Sequence, residues 1–213
     1  MRVATIIVTR SRSCHVKALH TVLRFNIQCM QKNVQNELMF VNDDPFLKSE
    51  KIQNCIKTYD RILFIDFGVS IDANALTNVL EPNDNYDIVV FPGVKEGIDW
   101  NMFAEKVKCA STEPVSQMGL HFDTTVGGSI DGDMYTVKST DPKAWVMMTK
   151  NTLKKIKDRR TSSFKIAPKS SVMFEKFKES GVKIVAYTAA EVTSTYTHEC
   201  FGNILNSTGI KSA

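Results

Sequence analysis

The first ninety residues switch repeatedly between continuous apolar runs and helical spacing. Residues 3–8 form an almost unbroken β-rich apolar run, which fits a buried strand. It stops in Thr9-Arg10-Ser11-Arg12-Ser13, a polar loop with helix-capping residues. Val16, Leu19, Leu23 and Ile27 then recur at helical spacing and predict a helix within 14–31. Residues 38–41 read as a second short strand closed by Asn42-Asp43-Asp44-Pro45, and 46–58 suit a helix. Residues 62–65 form a third buried strand ending at Asp66-Phe67-Gly68. A short helix over 73–80 and a fourth strand over 86–91, ended by Pro92-Gly93, follow.

Strands alternating with helices through short connections imply a doubly wound, largely parallel sheet. In such a sheet ligands sit beyond the carboxyl ends of the strands. The polar clusters at 9–13, 42–44 and 66–68 all fall there.

The second half is less regular. Residues 110–132, rich in Ser, Thr, Gly and Asp, read as a long loop. Strands are expected at 134–137 and 144–149, and a basic helix at 151–160. A helix over 170–180 stops at Gly181. A last strand over 182–187 precedes a polar tail containing His198. No internal repeat, low-complexity segment or linker divides the chain, so one domain, 1–213, is the economical reading. Within it, residues 1–92 carry the regular strand–helix alternation and 93–213 the less regular half.

Composition narrows the classes. The charge of +4, from 27 Lys and Arg against 23 Asp and Glu, is too mild for a dedicated nucleic-acid binder. The five cysteines are widely spaced with no Cys-x-x-Cys pair. Free thiols in a reducing compartment are expected rather than a zinc ribbon or a disulfide framework. No stretch reaches the ~20 apolar residues of a membrane span. The amino terminus lacks the long apolar core of a signal peptide, so a cytoplasmic location is expected and the Asn206 sequon is read as chance.

The candidate chemistry centres on Asp66. An apolar strand delivers this carboxylate to the sheet edge. There it can hold a hard divalent cation that neutralises a diphosphate. The segment Phe64-Ile65-Asp66-Phe67-Gly68-Val69, followed by Ala73-Asn74-Ala75-Leu76, resembles the metal-binding stretch of GT-A glycosyltransferases. It departs from their Asp-x-Asp pattern in placing Gly68 at the second acid. Ser170–Phe177 with Glu179-Ser180-Gly181 resembles the late GT-A helix, with Ser170 and Ser171 where inverting enzymes often carry Glu-Asp. A serine is no general base unaided.

The resemblance implies a single α/β GT-A (Rossmann-like) domain with a central mixed, mostly parallel sheet flanked by helices. It implies a hexosyltransferase moving a hexose or deoxyhexose from a UDP-sugar to a glycan or glycoprotein acceptor, with Mn2+ or Mg2+. The metal ligands would be Asp66 and His198. The nucleotide-sugar would lie against Thr9, Arg10, Ser11, Asn42, Asp43, Asp44, Lys51, Asp66, Phe67 and Gly68. The acidic cluster suits a uracil N3–H donor. Asp133 and Asp141 are the candidate catalytic acids, with Asp131, Glu96 and Asp99 as further ones, and Trp100 could stack on a sugar. The chain also resembles glycosyltransferase domains of chlorovirus capsid-glycan synthesis, which would place it in the host-cell cytoplasm.

Three other classes compete. A dehydrogenase or methyltransferase would need a Gly-rich turn after the first strand, and 9–13 has no glycine. A two-metal nuclease would need several convergent carboxylates. A non-catalytic UDP-sugar-binding module would keep the site without transferring.

Overall fold

The computed structural model describes residues 1–81, 85–158, 161, 163–195 and 204. Strands β1 (Arg2–Thr9), β2 (Gln35–Asn42) and β3 (Arg61–Ile65) alternate with helices α1 (Val16–Gln31) and α2 (Pro45–Thr58). After a short strand β4 (Val69–Ile71) come α3 (Ala73–Leu80), β5 (Ile88–Val90) and α4 (Trp100–Lys108). The second half adds β6 (Thr124–Asp131), β7 (Met134–Thr140), β8 (Ala144–Met148), α5 (Thr149–Ile156), α6 (Ser170–Glu179), β9 (Ile184–Tyr187) and β10 (Val192–Ser194).

Among the described residues eight strands form one mixed sheet in the order β2-β1-β3-β8-β5-β9-β7-β6, and β4 pairs with β10 in a separate ribbon. Strands β2, β1 and β3 run parallel; β8 enters antiparallel between β3 and β5; β9 is parallel to β5. The hairpin β6–β7 closes the far edge. Strand β1 is buried on both faces from Val3 onward, as an inner parallel strand must be. Its odd residues join the layer with α1 and α3, and its even residues join the layer with α2 and α6. In the second layer Phe64 stacks on Trp145, with ring centroids 5.1 Å apart.

Local chemistry sets the helix ends. Asp44, Asp72 and Asp99 cap α2, α3 and α4, each accepting two backbone N–H groups of the first turn. Pro45 at the start of α2 has no N–H to leave unsatisfied. Gly181 follows α6 at φ +76°, the left-handed stop expected of it.

One expectation is corrected. The segment 110–132 is not one long loop, because it contains a 3-10 turn at Val115–Gln117 and all of β6. The apolar stripe Val16, Leu19, Leu23 and Ile27 does mark a helix, but it is exposed. The core face of α1 is Ala18, Thr21, Val22, Phe25 and Cys29.

Candidate functional site

The carboxyl ends of β1, β2 and β3 meet the start of β8, because β8 runs against them: Ile65 pairs with Ala144. Asp66 N–H donates to the Lys143 carbonyl at 2.8 Å, which fixes the loop before β8 against the end of β3. Asp66 lines a cleft of about 260 Å3 with Lys48, Asp141, Lys143, Lys169 and Ser170, floored by Phe64 and Trp145. Its Oδ1 accepts the Phe67 N–H at 2.9 Å. Burial holds the Asp66 carboxyl above the ordinary carboxylate range. Lys48, the Phe67 N–H and Lys143 pull the other way, and Asp43 adds to the rise.

A chain of charges frames this carboxylate. Arg10 Nε donates to Asp43 Oδ2 at 2.8 Å, and Arg10 Nη2 donates to Glu96 Oε1 at 3.3 Å. The guanidinium lies 5.0 Å from the centroid of the Phe67 ring. Lys48 Nζ donates to Asp43 Oδ1 at 2.6 Å. Lys143 Nζ lies 3.7 Å from Glu96 Oε1 and 3.4 Å from Ser194 Oγ. Burial raises the Asp43 carboxyl, but the hydrogen bonds from Lys48 and Arg10 outweigh it and hold it below the usual range. The Asp43 bond leads the causes that raise the Arg10 guanidinium, against the pull of desolvation.

The turn after β1 is tight. Ser11 and Arg12 both adopt left-handed φ, +49° and +60°, between the paired Arg10 and Ser13. Thr9 Oγ1 donates to the Val41 carbonyl and to Asn42 Oδ1, each at 3.2 Å, so the first two clusters are locked together. Gly68 is buried at φ +72°. An aspartate there would have to adopt a backbone conformation that side chains disfavour. This gives the missing second acid a backbone reason.

The expected nucleotide-sugar residues therefore gather at one edge, in differing roles. Asp44 is committed to capping α2. Lys51 lies on another face of α2, lining a pocket of about 650 Å3 with Thr9, Asn42 and Phe40. Of the two candidate catalytic acids, Asp141 lines the Asp66 cleft. Asp133 sits at the β6–β7 turn, where its carbonyl accepts the Thr188 N–H. The seven residues of β7, eight steps of ~3.3 Å or about 26 Å, separate the two acids. Asp99 is a helix cap and Trp100 is exposed. His198 lies outside the described residues.

Four charged contributors escaped sequence reasoning: Lys48, Lys143, Lys169 and Asp123. Asp123 is almost fully buried. It accepts from the Gly93 N–H at 3.1 Å, Thr124 Oγ1 at 2.7 Å and the Lys143 N–H at 3.4 Å, while its carbonyl accepts the Asp141 N–H at 3.0 Å. Burial raises its carboxyl against those bonds. It ties the loop after β5 to the loop that carries Asp141 and Lys143. In sequence it is one acid among several in a polar stretch, and nothing there marks it.

Among the described residues no group of three or more His, Cys, Asp or Glu side chains could hold a metal ion. Asp66 nonetheless fits a single metal ligand: its carboxylate is desolvated, lines the cleft, and has no ion pair among the described residues that a cation would have to displace. No described helix is long and apolar enough to cross a membrane.

No family model matches the sequence, and no curated protein matches it. Solved structures do. A mutant Drosophila β-1,4-galactosyltransferase 7, in complex with manganese, UDP-Gal and xylobiose, matches at 13% identity and a TM-score of 0.45 over 87% of this chain. This chain covers 64% of that one, less than two thirds of its length. The inositol-1-phosphate CTP transferase of T. maritima matches at 9% identity and a TM-score of 0.39, covering 97% of this chain and 78% of that one.

Proposed function

We propose that the chain is a GT-A type glycosyltransferase that binds a UDP-sugar with its diphosphate in the Asp66 cleft. One observation carries this reading: a desolvated carboxylate at the end of β3 stands in a cleft whose other charged walls include Lys48, Lys143 and Lys169. That mixture suits a diphosphate bridged to the protein by a divalent cation, with lysines taking the remaining negative charge. A bound Mn2+ or Mg2+ would be held by Asp66 and would supply electrostatic stabilisation of the leaving diphosphate. The nucleoside would lie over Thr9–Ser11 and Asn42–Asp43.

In the transfer itself, an acceptor hydroxyl oxygen bonds to the anomeric carbon of the sugar as the bond from that carbon to the diphosphate oxygen breaks. The electron pair leaves on the nucleoside diphosphate. The hydroxyl proton needs a base, and Asp141 fits better than Asp133 because Asp141 lines the cleft. Arg10 and Glu96 then act as positioning residues, Arg10 holding Asp43 at the nucleoside and Glu96 holding Lys143 toward the phosphates.

Titration calorimetry with UDP, GDP and CMP, each with and without Mn2+, tests the reading. Binding of UDP that requires Mn2+ is expected, together with hydrolysis or transfer from one of a panel of UDP-sugars. Metal-independent binding or a preference for GDP would overturn the site. Binding with neither transfer nor hydrolysis would establish a non-catalytic UDP-sugar-binding module.

A further inference from the structure

The described chain leaves one large apolar surface uncovered, and it lies beside an open sheet edge. Helix α1 turns Leu19, Leu23 and Met30 outward, and β2 turns Leu38 and Phe40 to the same side; these five are 36–70% exposed. Two contacts fix the helix rotation. Asn36 Nδ2 on β2 donates to Asn26 Oδ1, and on the opposite flank Gln28 Nε2 donates to the Ala73 carbonyl. With 3.6 residues per turn, positions 19, 23 and 30 lie on the Asn26 flank, toward β2. On β2, Met39 and Val41 pack into the α2 layer, so Leu38 and Phe40 face the α1 layer.

The edge itself is free to pair. Among the described residues β2 bonds only to β1. Gln35 N–H donates to the Met1 carbonyl and Asp43 N–H to the Thr9 carbonyl, so the odd positions bond inward. Asn36, Leu38 and Phe40 therefore direct their backbone groups outward.

We propose that a second copy of this chain covers the surface, through antiparallel two-fold pairing of β2 with β2. Leu38 would meet its own symmetry mate, and Phe40 would meet Asn36. The two eight-stranded sheets become one, and the α1 helices pack across the axis.

Two considerations favour a copy of this chain over another occupant. The first is charge. Helix α1 contains Lys17, His20 and Arg24 and no acid, yet these line a separate pocket with Asp72 and Glu191 on the α3 flank. On the α1 face, the face that carries the apolar stripes, the pairing thus brings no like charges together. The second is area. At roughly 200 Å2 per large side chain, the five residues expose on the order of 500 Å2. The backbone edge and the polar rim would bring each copy toward the ~800 Å2 per partner of a stable interface.

Sedimentation and light scattering of the full chain at micromolar concentration provide the test. A mass twice 23.9 kDa is expected. Leu38→Lys and Phe40→Lys should each return the mass to that of one chain with unchanged circular dichroism. Since a directly opposed, hydrogen-bonded pair has Cα atoms about 5.5 Å apart, within disulfide reach, Leu38→Cys should oxidise to a covalent dimer where the parent does not. A monomeric parent overturns the proposal, whether its residues 36–40 are protected from amide exchange by another segment or bind anionic vesicles. A dimer that survives both lysine variants, or one that Leu38→Cys fails to cross-link, overturns it equally.

Discussion

Arg10 Nε and Asp43 Oδ2 meet at 2.8 Å, joining the loop after the first strand to the loop after the second. The bond spans 33 positions of sequence and shapes the expected nucleoside edge. Arg10→Met should lift the Asp43 carboxyl toward its ordinary value. As an exposed pair it should cost less than about 1 kcal/mol of stability, while weakening UDP binding about tenfold. Calorimetry on the single and double variants with Asp43→Asn measures the coupling. Additive losses would show that the pair does not act as a unit.

Asp66→Asn should remove metal-dependent UDP binding and yet raise the melting temperature at neutral pH. The folded carboxyl is raised, so the native state holds its proton more tightly than the unfolded chain does. The stability contributed by the protonated form is complete below the unfolded value of ~3.9 and is lost as pH rises through the folded value. The gain from the variant should therefore shrink as pH falls toward 4. Scanning calorimetry across that range checks the sign, and a lower melting temperature at pH 7 would contradict it.

Gly68→Asp restores the second acid in sequence but meets a backbone at φ +72°. The open space around a built Cβ removes any steric penalty from neighbours, leaving about 1 kcal/mol of conformational strain. A fall in denaturation midpoint of that size is expected, and an unchanged midpoint would remove the backbone explanation for the glycine.

Cys29 and Cys55 are buried, and burial pushes both thiols up to about 11. Cys109 is exposed. A thiol-specific reagent at neutral pH should modify Cys109 rapidly in the native protein and reach Cys29 and Cys55 only after unfolding. Peptide mapping after timed modification distinguishes them.

The sequence makes some of this structure legible and hides the rest for physical reasons. Helix α3 begins and ends where its pattern says, because Asp72 caps it and the Arg61 guanidinium donates to the Val79 and Glu81 carbonyls at its far end. For α1 the period was readable but the face was not, since the core side mixes Ala18, Thr21 and Cys29 with larger groups and the bulkier stripe lies outside. Strand β6 is mostly exposed and rich in Gly, Ser and Thr, so it carries no strand-like hydrophobic pattern. Helix α4 places Trp100, Phe103, Ala104 and Val107 at helical spacing, but it buries no residue, so its apolar stripe marks no part of the core. Asp66 could be found because an apolar strand leads to it. Lys48, Lys143 and Asp123 could not, because only the sheet order brings them there.

The reversed direction of β8 has a consequence for assembly. Its first residues reach Asp66 only when the strand has slotted between β3 and β5 in register, and a slip of two residues would carry Lys143 about 7 Å away. A partly folded chain with the first three strands paired would own the Asp66 carboxylate but not the cleft. Ligand affinity is therefore a readout of complete sheet closure, and a ligand bound there stabilises the finished fold by mass action against every earlier stage.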